Sequence, residues 1–194
     1  MAYPGVKFTT EFIDKLAPQD FRINELIKWC QSFYESNLAP MADGCSAGNL
    51  SFRLKAGRNN FIITGAGLKA KEDLTCQHFV KVLDCDFKKK TILAEGLIEP
   101  SSETMLHFAL YQKRPEVNAI FHGHCREILA QAKKLNIPQT KKEAPYGTIE
   151  LVNQALLILA NNNFLVLKNH GFIALGRDMT SAGQLALAFQ NKCC

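Results

Sequence analysis

The sequence lacks any run of about 18 consecutive uncharged apolar residues, the length that a membrane-spanning helix needs. It also lacks a basic N-terminal segment followed by a short apolar run, which is the pattern of a secretory leader. Both absences argue against a membrane protein and against an exported one. We therefore expect a soluble, cytoplasmic protein with no membrane partner.

No two cysteines have the Cys-x-x-Cys spacing of a redox motif or a zinc ribbon, although the chain contains 7 cysteines. Their number is odd and they are scattered, which argues against a disulfide framework. Cys193 and Cys194 are adjacent in the chain, and adjacent cysteines are poorly placed to bridge each other. This pattern fits a protein of the reducing cytosol.

A concentrated basic surface is also missing from the sequence. The net charge is +5, from 23 basic and 18 acidic residues. The basic residues fall in short clusters, at 88–90 and 141–142, whereas nucleic-acid binding needs a concentrated basic footprint. We interpret the clusters as solvated loop charge, and we expect no nucleic-acid partner. A mild attraction for phosphorylated metabolites remains open.

The chain contains enough apolar material for one hydrophobic core. With 194 residues, 47% of them hydrophobic, it has the size of a single compact domain. It shows no internal repeat and no long linker. We predict one domain over residues 1–194, in which residues 1–20 form an N-terminal extension with little periodicity.

The periodicity of apolar residues predicts intermixed helices and strands. Helices are predicted from about 20 to 33, from the Pro-Ser-Ser of 100–102 to about 114, and over 127–135, 147–161 and 181–189. Strands are predicted over 49–54, 61–64, 79–84, 91–94, 117–125 and 164–168. This mixture favours an α/β fold with a central, mostly antiparallel sheet flanked by helices.

Three histidines have the spacing of a metal site. His122 and His124 lie two residues apart on a predicted strand, so both imidazoles project from the same face of the sheet. His170 follows another predicted strand and precedes Gly171, where the chain can bend towards a cleft. One such histidine alone is more often a packed residue that binds a backbone carbonyl. Three together indicate a catalytic Zn²⁺ site with one open position.

The segment that opens the predicted helix at residue 100 has the features of an anion site. Ser101 and Ser102 lie at the helix N-terminus, where free amides and the helix dipole favour a phosphate or a carboxylate. The small polar turns at 48–49 and 64–67 could add backbone amides. Ordinary helix capping and turn formation explain the serine pair and the two turns about as well as anion binding does. Glu103 follows the serines and is a candidate acid or base beside a metal.

His107, four residues after Glu103 on the same predicted helix, has two interpretations. It could orient the Glu103 carboxylate, or it could be a packed core histidine.

Five motifs occur in an order that resembles the class II aldolase/adducin family, over roughly residues 21 to 190. The first is Gly-Asn-x-Ser-x-Arg, and it is followed by a Thr-Gly turn, by Pro-Ser-Ser-Glu with a histidine four residues later, by His-x-His and by Asn-His-Gly. In this sequence they stand at 48–53, 63–65, 100–107, 122–124 and 169–171.

The resemblance implies a three-layer α/β/α fold, a cyclic homotetramer with sites at subunit interfaces, and a sugar-phosphate substrate. It implies a lyase in which Zn²⁺ stabilises the enediolate formed by retro-aldol cleavage of a carbon-carbon bond. Glu103 would then shuttle the proton. The groups that would hold the phosphate are Asn49, Thr64, Gly65, Ser101 and Ser102.

Family aldolases also use a tyrosine donated by a neighbouring subunit, in a segment that begins Pro-Tyr and ends Gly-Thr. Here Pro145 and Tyr146 run directly into Gly147 and Thr148, so the segment is shortened. The resemblance implies Tyr146 as a second catalytic residue. Two alternatives to the lyase remain: an epimerase or dehydratase acting on a sugar phosphate, and a non-catalytic module like the adducin head, which lacks the full set of metal histidines.

Overall fold

A computed structural model describes residues 5–42, 44–69, 71 and 73–193. The strands are β1 Thr9–Asp14, β2 Met41–Ala42, β3 Cys45–Ser46, β4 Asn49–Arg53, β5 Phe61–Thr64, β6 Phe79–Asp86, β7 Thr91–Glu95, β8 Ala119–Gly123, β9 Phe164–Leu167 and β10 Gly171–Gly176. The helices are α1 Ile23–Glu35, α2 Thr104–Lys113, α3 Arg126–Gln131, α4 Ile149–Leu159 and α5 Met179–Asn191.

Eight of these strands form one sheet, in the order β1-β7-β6-β5-β4-β8-β10-β9. Every neighbouring pair in it is antiparallel except β1 with β7, which is parallel. The short strands β2 and β3 pair only with each other. The prediction of a central, mostly antiparallel sheet is therefore confirmed.

Helices cover both faces of the sheet, because successive side chains of each strand point to opposite sides. On β5, Phe61 and Ile63 join the core that α2 and α4 cover, whereas Ile62 joins the core that α1, α3 and α5 cover. The result is the three-layer α/β/α arrangement that the resemblance implied.

Helix α1 shows how the pattern of the sequence sets this packing. Its buried residues, Ile23, Leu26, Cys30 and Phe33, recur every three or four positions and so lie on one face. Burial of each large apolar side chain contributes roughly 1.5–3 kcal/mol, which fixes that face against the sheet. Among the described residues, no helix combines the length and the apolar character needed to cross a membrane.

Two strands of the eight-stranded sheet were not predicted from the sequence. Strand β1 lies within the expected extension of residues 1–20, and it forms the edge of the sheet beside β7. Its two apolar residues, Phe12 and Ile13, are adjacent, so its sequence shows no period of two. Strand β10 follows His170 and lies between β8 and β9. All six of its residues are buried, so it lacks the polar alternation of a half-exposed strand.

Helix α2 begins later than its predicted opening at Pro100. Its first residue is Thr104, and Glu103 is its N-cap. The Ser101 amide donates a hydrogen bond to the Thr64 carbonyl at 3.1 Å, and Pro100 bridges to Gly65. These contacts hold residues 100 and 101 against the end of β5, so the helix starts only after them.

Candidate active site

Strands β8, β9 and β10 bring the three predicted metal histidines together. His122 lies on β8, His124 follows that strand, and His170 occupies the turn from β9 to β10. Because β10 pairs with both β8 and β9, this turn places His170 beside His122. One ring nitrogen from each histidine lies within 4.8 Å of the others. The predicted convergence of the three rings is present in the structure.

Gly171 makes this approach possible. A Cβ atom at that position would lie 2.5 Å from the Gly123 carbonyl oxygen and 2.7 Å from His122 Cε1. Both distances are shorter than any ordinary contact, so only glycine allows β10 to pass this close to the histidines.

The chemistry of the three histidines fits a bound divalent cation. The His122 Nδ1 donates to the Phe172 carbonyl at 2.8 Å, which leaves the lone pair on Nε2. That Nε2 faces the Nε2 of His124 at 3.0 Å. Burial lowers the pKa of His124 to about 3 and also lowers the pKa of His170, so both rings are neutral near pH 7. Converging neutral nitrogens of this kind are the ligands that Zn²⁺ prefers.

Glu103 lies directly beside this cluster and is 3% exposed. Its Oε2 is 2.8 Å from His122 Nε2, and its Oε1 is 3.4 Å from His170 Nε2. Burial by itself raises the pKa of the carboxyl, whereas the attraction to His122 and His170, which acts when those rings carry a proton, lowers that pKa below its ordinary value. The group is therefore a carboxylate near neutral pH.

The position of Glu103 is set by a ladder of side-chain contacts between β4 and α2. Every second residue of β4 is about 6.7 Å from the next, and every fourth residue of a helix is about 6 Å from the next. Because the two spacings are similar, successive residues of β4 and α2 can contact each other in pairs. The pairs in contact are Asn49 with Glu103, Ser51 with His107, and Arg53 with Tyr111. The polar residues of the first motif thus hold α2 on the sheet.

His107 belongs to this ladder and is fully buried. Its Nδ1 lies 2.7 Å from Ser51 Oγ, which also lies 2.8 Å from the Tyr111 hydroxyl. Burial lowers the pKa of His107 to about 3, so the ring is neutral. Its observed hydrogen bond is to Ser51, as expected for a packed core histidine.

One cleft gathers nearly all of the predicted site residues. It is lined by Asn49, Gly65, Ser101, Ser102, Glu103, His122, His124, Tyr146 and His170, together with residues of 42–48, Ala66 and Gly67. Thr64 is not among the lining residues. Its hydroxyl accepts a hydrogen bond from the Leu50 amide at 3.3 Å, and the residue is 1% exposed, so it joins β4 to β5.

Tyr146 lines the cleft of its own chain. The Lys7 Nζ donates to the Tyr146 carbonyl at 2.9 Å and lies 4.1 Å from the centre of its ring. Gly147 has a φ of +66°, and a Cβ there would lie 2.9 Å from the Ser102 carbonyl oxygen. The shortened segment is therefore packed directly against the serine pair.

Sequence reasoning missed the opposite wall of the cleft. Strands β2 and β3 supply Ala42, Cys45 and Ser46 to the lining. Each strand has only two residues, which is too short to give a periodic signal. Lys71, which lies behind the neighbouring part of this wall, was missed as well, because a single lysine in a loop carries no pattern.

Known proteins share this fold. L-fuculose 1-phosphate aldolase superposes with a TM-score of 0.72 at 24% identity, covering 91% of this chain and 84% of that one. A sugar-phosphate aldolase from Thermotoga maritima gives a TM-score of 0.70 at 21% identity, covering 88% of this chain and 91% of that one. At these identities the similarity establishes the fold.

Relatives found by sequence similarity say more about the family than the structural neighbours do. A methylthioribulose-1-phosphate dehydratase of Leptospira biflexa is 30% identical over 67% of this chain, which spans 59% of the relative. An L-fuculose phosphate aldolase of Escherichia coli O6:H1 is 34% identical over 73% of this chain and 68% of the relative. The family model described as Class II Aldolase and Adducin N-terminal domain matches residues 24–194. The chain belongs to the class II aldolase and adducin N-terminal domain family.

Proposed function

We propose that the protein is a zinc-dependent lyase that cleaves a carbon-carbon bond of a sugar phosphate. The observation that carries this proposal is the convergence of three imidazole nitrogens within 4.8 Å of one another beside a buried carboxylate. A non-catalytic module has no need of such a cluster, because converging lone pairs and a buried charge are costly to maintain without a ligand.

His122, His124 and His170 would hold the metal. When bound, Zn²⁺ would polarise substrate oxygens and stabilise negative charge that develops on them. The Phe172 carbonyl fixes the His122 ring so that Nε2 faces the cluster.

The anionic end of the substrate would bind at the serine pair. Ser101 and Ser102 line the cleft directly before α2, and Gly65 and Asn49 line it beside them. Their hydroxyl, amide and backbone donors suit a phosphate, and the N-terminus of α2 adds its dipole. Thr64 would support this region through its hydrogen bond to Leu50.

Glu103 and Tyr146 would handle the protons. Retro-aldol cleavage requires a base to take the proton of the substrate hydroxyl and an acid to return a proton to the carbon released. Glu103 is ionised, lies beside His122 and His170, and directly follows the serine pair in the chain, so it suits the first task. Tyr146 lines the same cleft and suits the second.

A dehydratase is the second candidate, and the 30% identical methylthioribulose-1-phosphate dehydratase supports it. Elimination of water uses the same parts, a base at one carbon and assistance to the departing hydroxyl. An epimerase is the remaining alternative. The products separate the three: two fragments for a lyase, one dehydrated product for a dehydratase, and one isomer for an epimerase.

We expect a cytoplasmic homotetramer, as the family resemblance implies. Light scattering of the purified protein would test the assembly, which should have four times the 21.7 kDa mass of the chain.

The proposal is tested by metal analysis followed by a substrate panel. Purified protein should contain about one zinc per chain, and a variant with His122, His124 and His170 all changed to alanine should contain none while it remains folded. The zinc-loaded protein should cleave at least one of a panel of sugar phosphates, with both products identified. A folded triple variant that keeps stoichiometric zinc would disprove the metal site.

A further inference from the structure

Lys71 is a buried ammonium group behind one wall of the cleft. It is 1% exposed. Its Nζ donates hydrogen bonds to the carbonyl oxygens of Ala47 at 2.9 Å and Gly48 at 3.2 Å. Both residues line the cleft. The charge of Lys71 is therefore separated from the substrate space by about one peptide group.

No acidic side chain described in the structure forms an ion pair with Lys71; the ion pairs among the described residues join other side chains. The titratable groups that act on it are Cys30 of α1 and His124 after β8. Burial raises the pKa of Cys30 to about 12 and lowers the pKa of His124 to about 3, so neither is negative near pH 7. A buried cation without a counter-ion is unfavourable, so something else must offset this charge.

The lining of the cleft itself contains no lysine or arginine among the described residues. The groups proposed to hold a phosphate are neutral hydroxyls, amides and backbone N–H groups. A phosphate bound by neutral groups alone would lose much of its hydration without a compensating charge. Among the described lysines, Lys7 is bonded to the Tyr146 carbonyl and Lys71 to the Ala47 and Gly48 carbonyls, and Lys71 is the buried one.

The hydrogen bonds of Lys71 also fix the orientation of two peptide groups. In a trans peptide the N–H points away from the C=O of the same unit. With the Ala47 carbonyl turned towards Lys71, the Gly48 amide is directed to the opposite side. Gly48 has a φ of +73°, and a Cβ there would lie 2.6 Å from the His122 carbonyl oxygen, so the turn requires glycine.

We propose that Lys71 is a positioning residue for the anionic end of the substrate. It fixes the Ala47 and Gly48 peptide groups, and its charge acts across them to balance a bound phosphate. The inference rests on the proposed function, because it takes the anion to bind at the serine pair. The phosphate would supply the counter-ion that none of the described acidic side chains provides.

The test is the affinity of the zinc-loaded protein for inorganic phosphate, measured by titration calorimetry. Lys71→Met removes the charge and both hydrogen bonds, whereas Lys71→Gln removes the charge but keeps an amide that can donate to the carbonyls. Both variants should bind phosphate at least about tenfold more weakly. Lys69→Met, at an exposed lysine of the same segment, should bind like the unchanged protein.

A double variant, Ser101→Ala with Ser102→Ala, separates this inference from the function on which it rests. If the serine variant loses affinity and the two Lys71 variants do not, the role of Lys71 is wrong and the anion site stands. If neither the serine variant nor the Lys71 variants lose affinity, or if phosphate does not bind at all, the anion site itself is wrong.

A second measurement tests the role of Lys71 if the Lys71 variants do not fold. Burial lowers the pKa of Lys71 to about 8, whereas neither Cys30 nor His124 titrates near that pH. Sulfate keeps a constant charge, so its affinity for the unchanged protein should fall severalfold between about pH 7 and 9.5 as Lys71 loses its proton. The loss should persist after chelation, which removes binding at the metal. A flat profile would overturn the proposal.

Discussion

The carboxylate of Glu103 is 2.8 Å from His122 and lines the cleft beside Ser101 and Ser102, so a substrate anchored at the serines would pass it on the way to the histidines. Because Glu103→Gln keeps the shape but loses basicity, we expect kcat to fall about 10²–10⁴-fold. Zinc content and substrate affinity should change far less.

Steady-state kinetics and metal analysis of the same preparation would check this result. Glu150→Gln, at an exposed residue in the first turn of α4, is the matched control and should have native kcat. Native kcat in a folded, zinc-replete Glu103→Gln variant would assign the proton transfer to another group.

Residue positions were predictable where spacing alone determines the outcome. A separation of two on a strand places His122 and His124 on one side, whatever the rest of the fold does. Thr64 is different, because the direction of its hydroxyl depends on how β5 aligns with β4. That alignment depends on the pairing of two strands, so it cannot be predicted from the sequence around Thr64 alone.

Among the elements, the β9–β10 turn determines whether the third histidine reaches the other two. Gly171→Ala would place a Cβ 2.7 Å from His122 Cε1, so the ring must shift. We expect zinc affinity to fall about 10–100-fold, as when the supports of metal ligands are lost. Competition with a chelator would measure this.

Gly57→Ala is the control for that change. A Cβ at Gly57 meets nothing within 4 Å, although its positive φ of +73° adds a backbone strain that Gly171 does not have. The Gly57→Ala variant therefore adds a Cβ and strain away from the histidines, and its zinc affinity should be native. Equal losses in both variants would show that a general loss of stability, and not the approach to His122, weakens the site.

The segment that leads into β1 contributes to the core, although the sequence analysis predicted only an N-terminal extension with little periodicity. Phe8 is 9% exposed and packs in the cluster beneath α2 and α4. Phe8→Ala should lower the free energy of unfolding by about 3–5 kcal/mol. Urea denaturation would measure it, with the exposed Lys15→Ala as the control. Equal stability of the two variants would show that the segment contributes little.

At the scale of the whole molecule, metal binding should stabilise the fold. The three proposed ligands come from positions on β8, after β8, and between β9 and β10, so the unfolded chain does not hold them together. Zinc at about 100 times its dissociation constant should add about 2.7 kcal/mol to the free energy of unfolding. Thermal denaturation with and without a chelator would show the shift, which the triple histidine variant should lack.

The overall architecture was predictable from local sequence. A helix or strand that buries one face repeats its apolar residues with a fixed period, and this period is visible within each segment alone. The arrangement of subunits could not be predicted in this way. The exposed apolar side chains, such as Ile13, Leu16, Phe21 and Leu157, are scattered over several elements, and their sequence positions do not tell which of them share a surface.

The placement of β10 sets the time at which the sheet becomes complete during synthesis. This last strand is inserted between β8 and β9, and the turn before it carries His170. A ribosome adds about 5–20 residues per second, so β8 waits roughly 3–10 s for the strand that covers its edge. During that interval the emerging chain has two of the three clustered histidines and an open hydrophobic edge. The proposed metal site can therefore bind zinc through its full set of histidines only after the β9–β10 turn has been made.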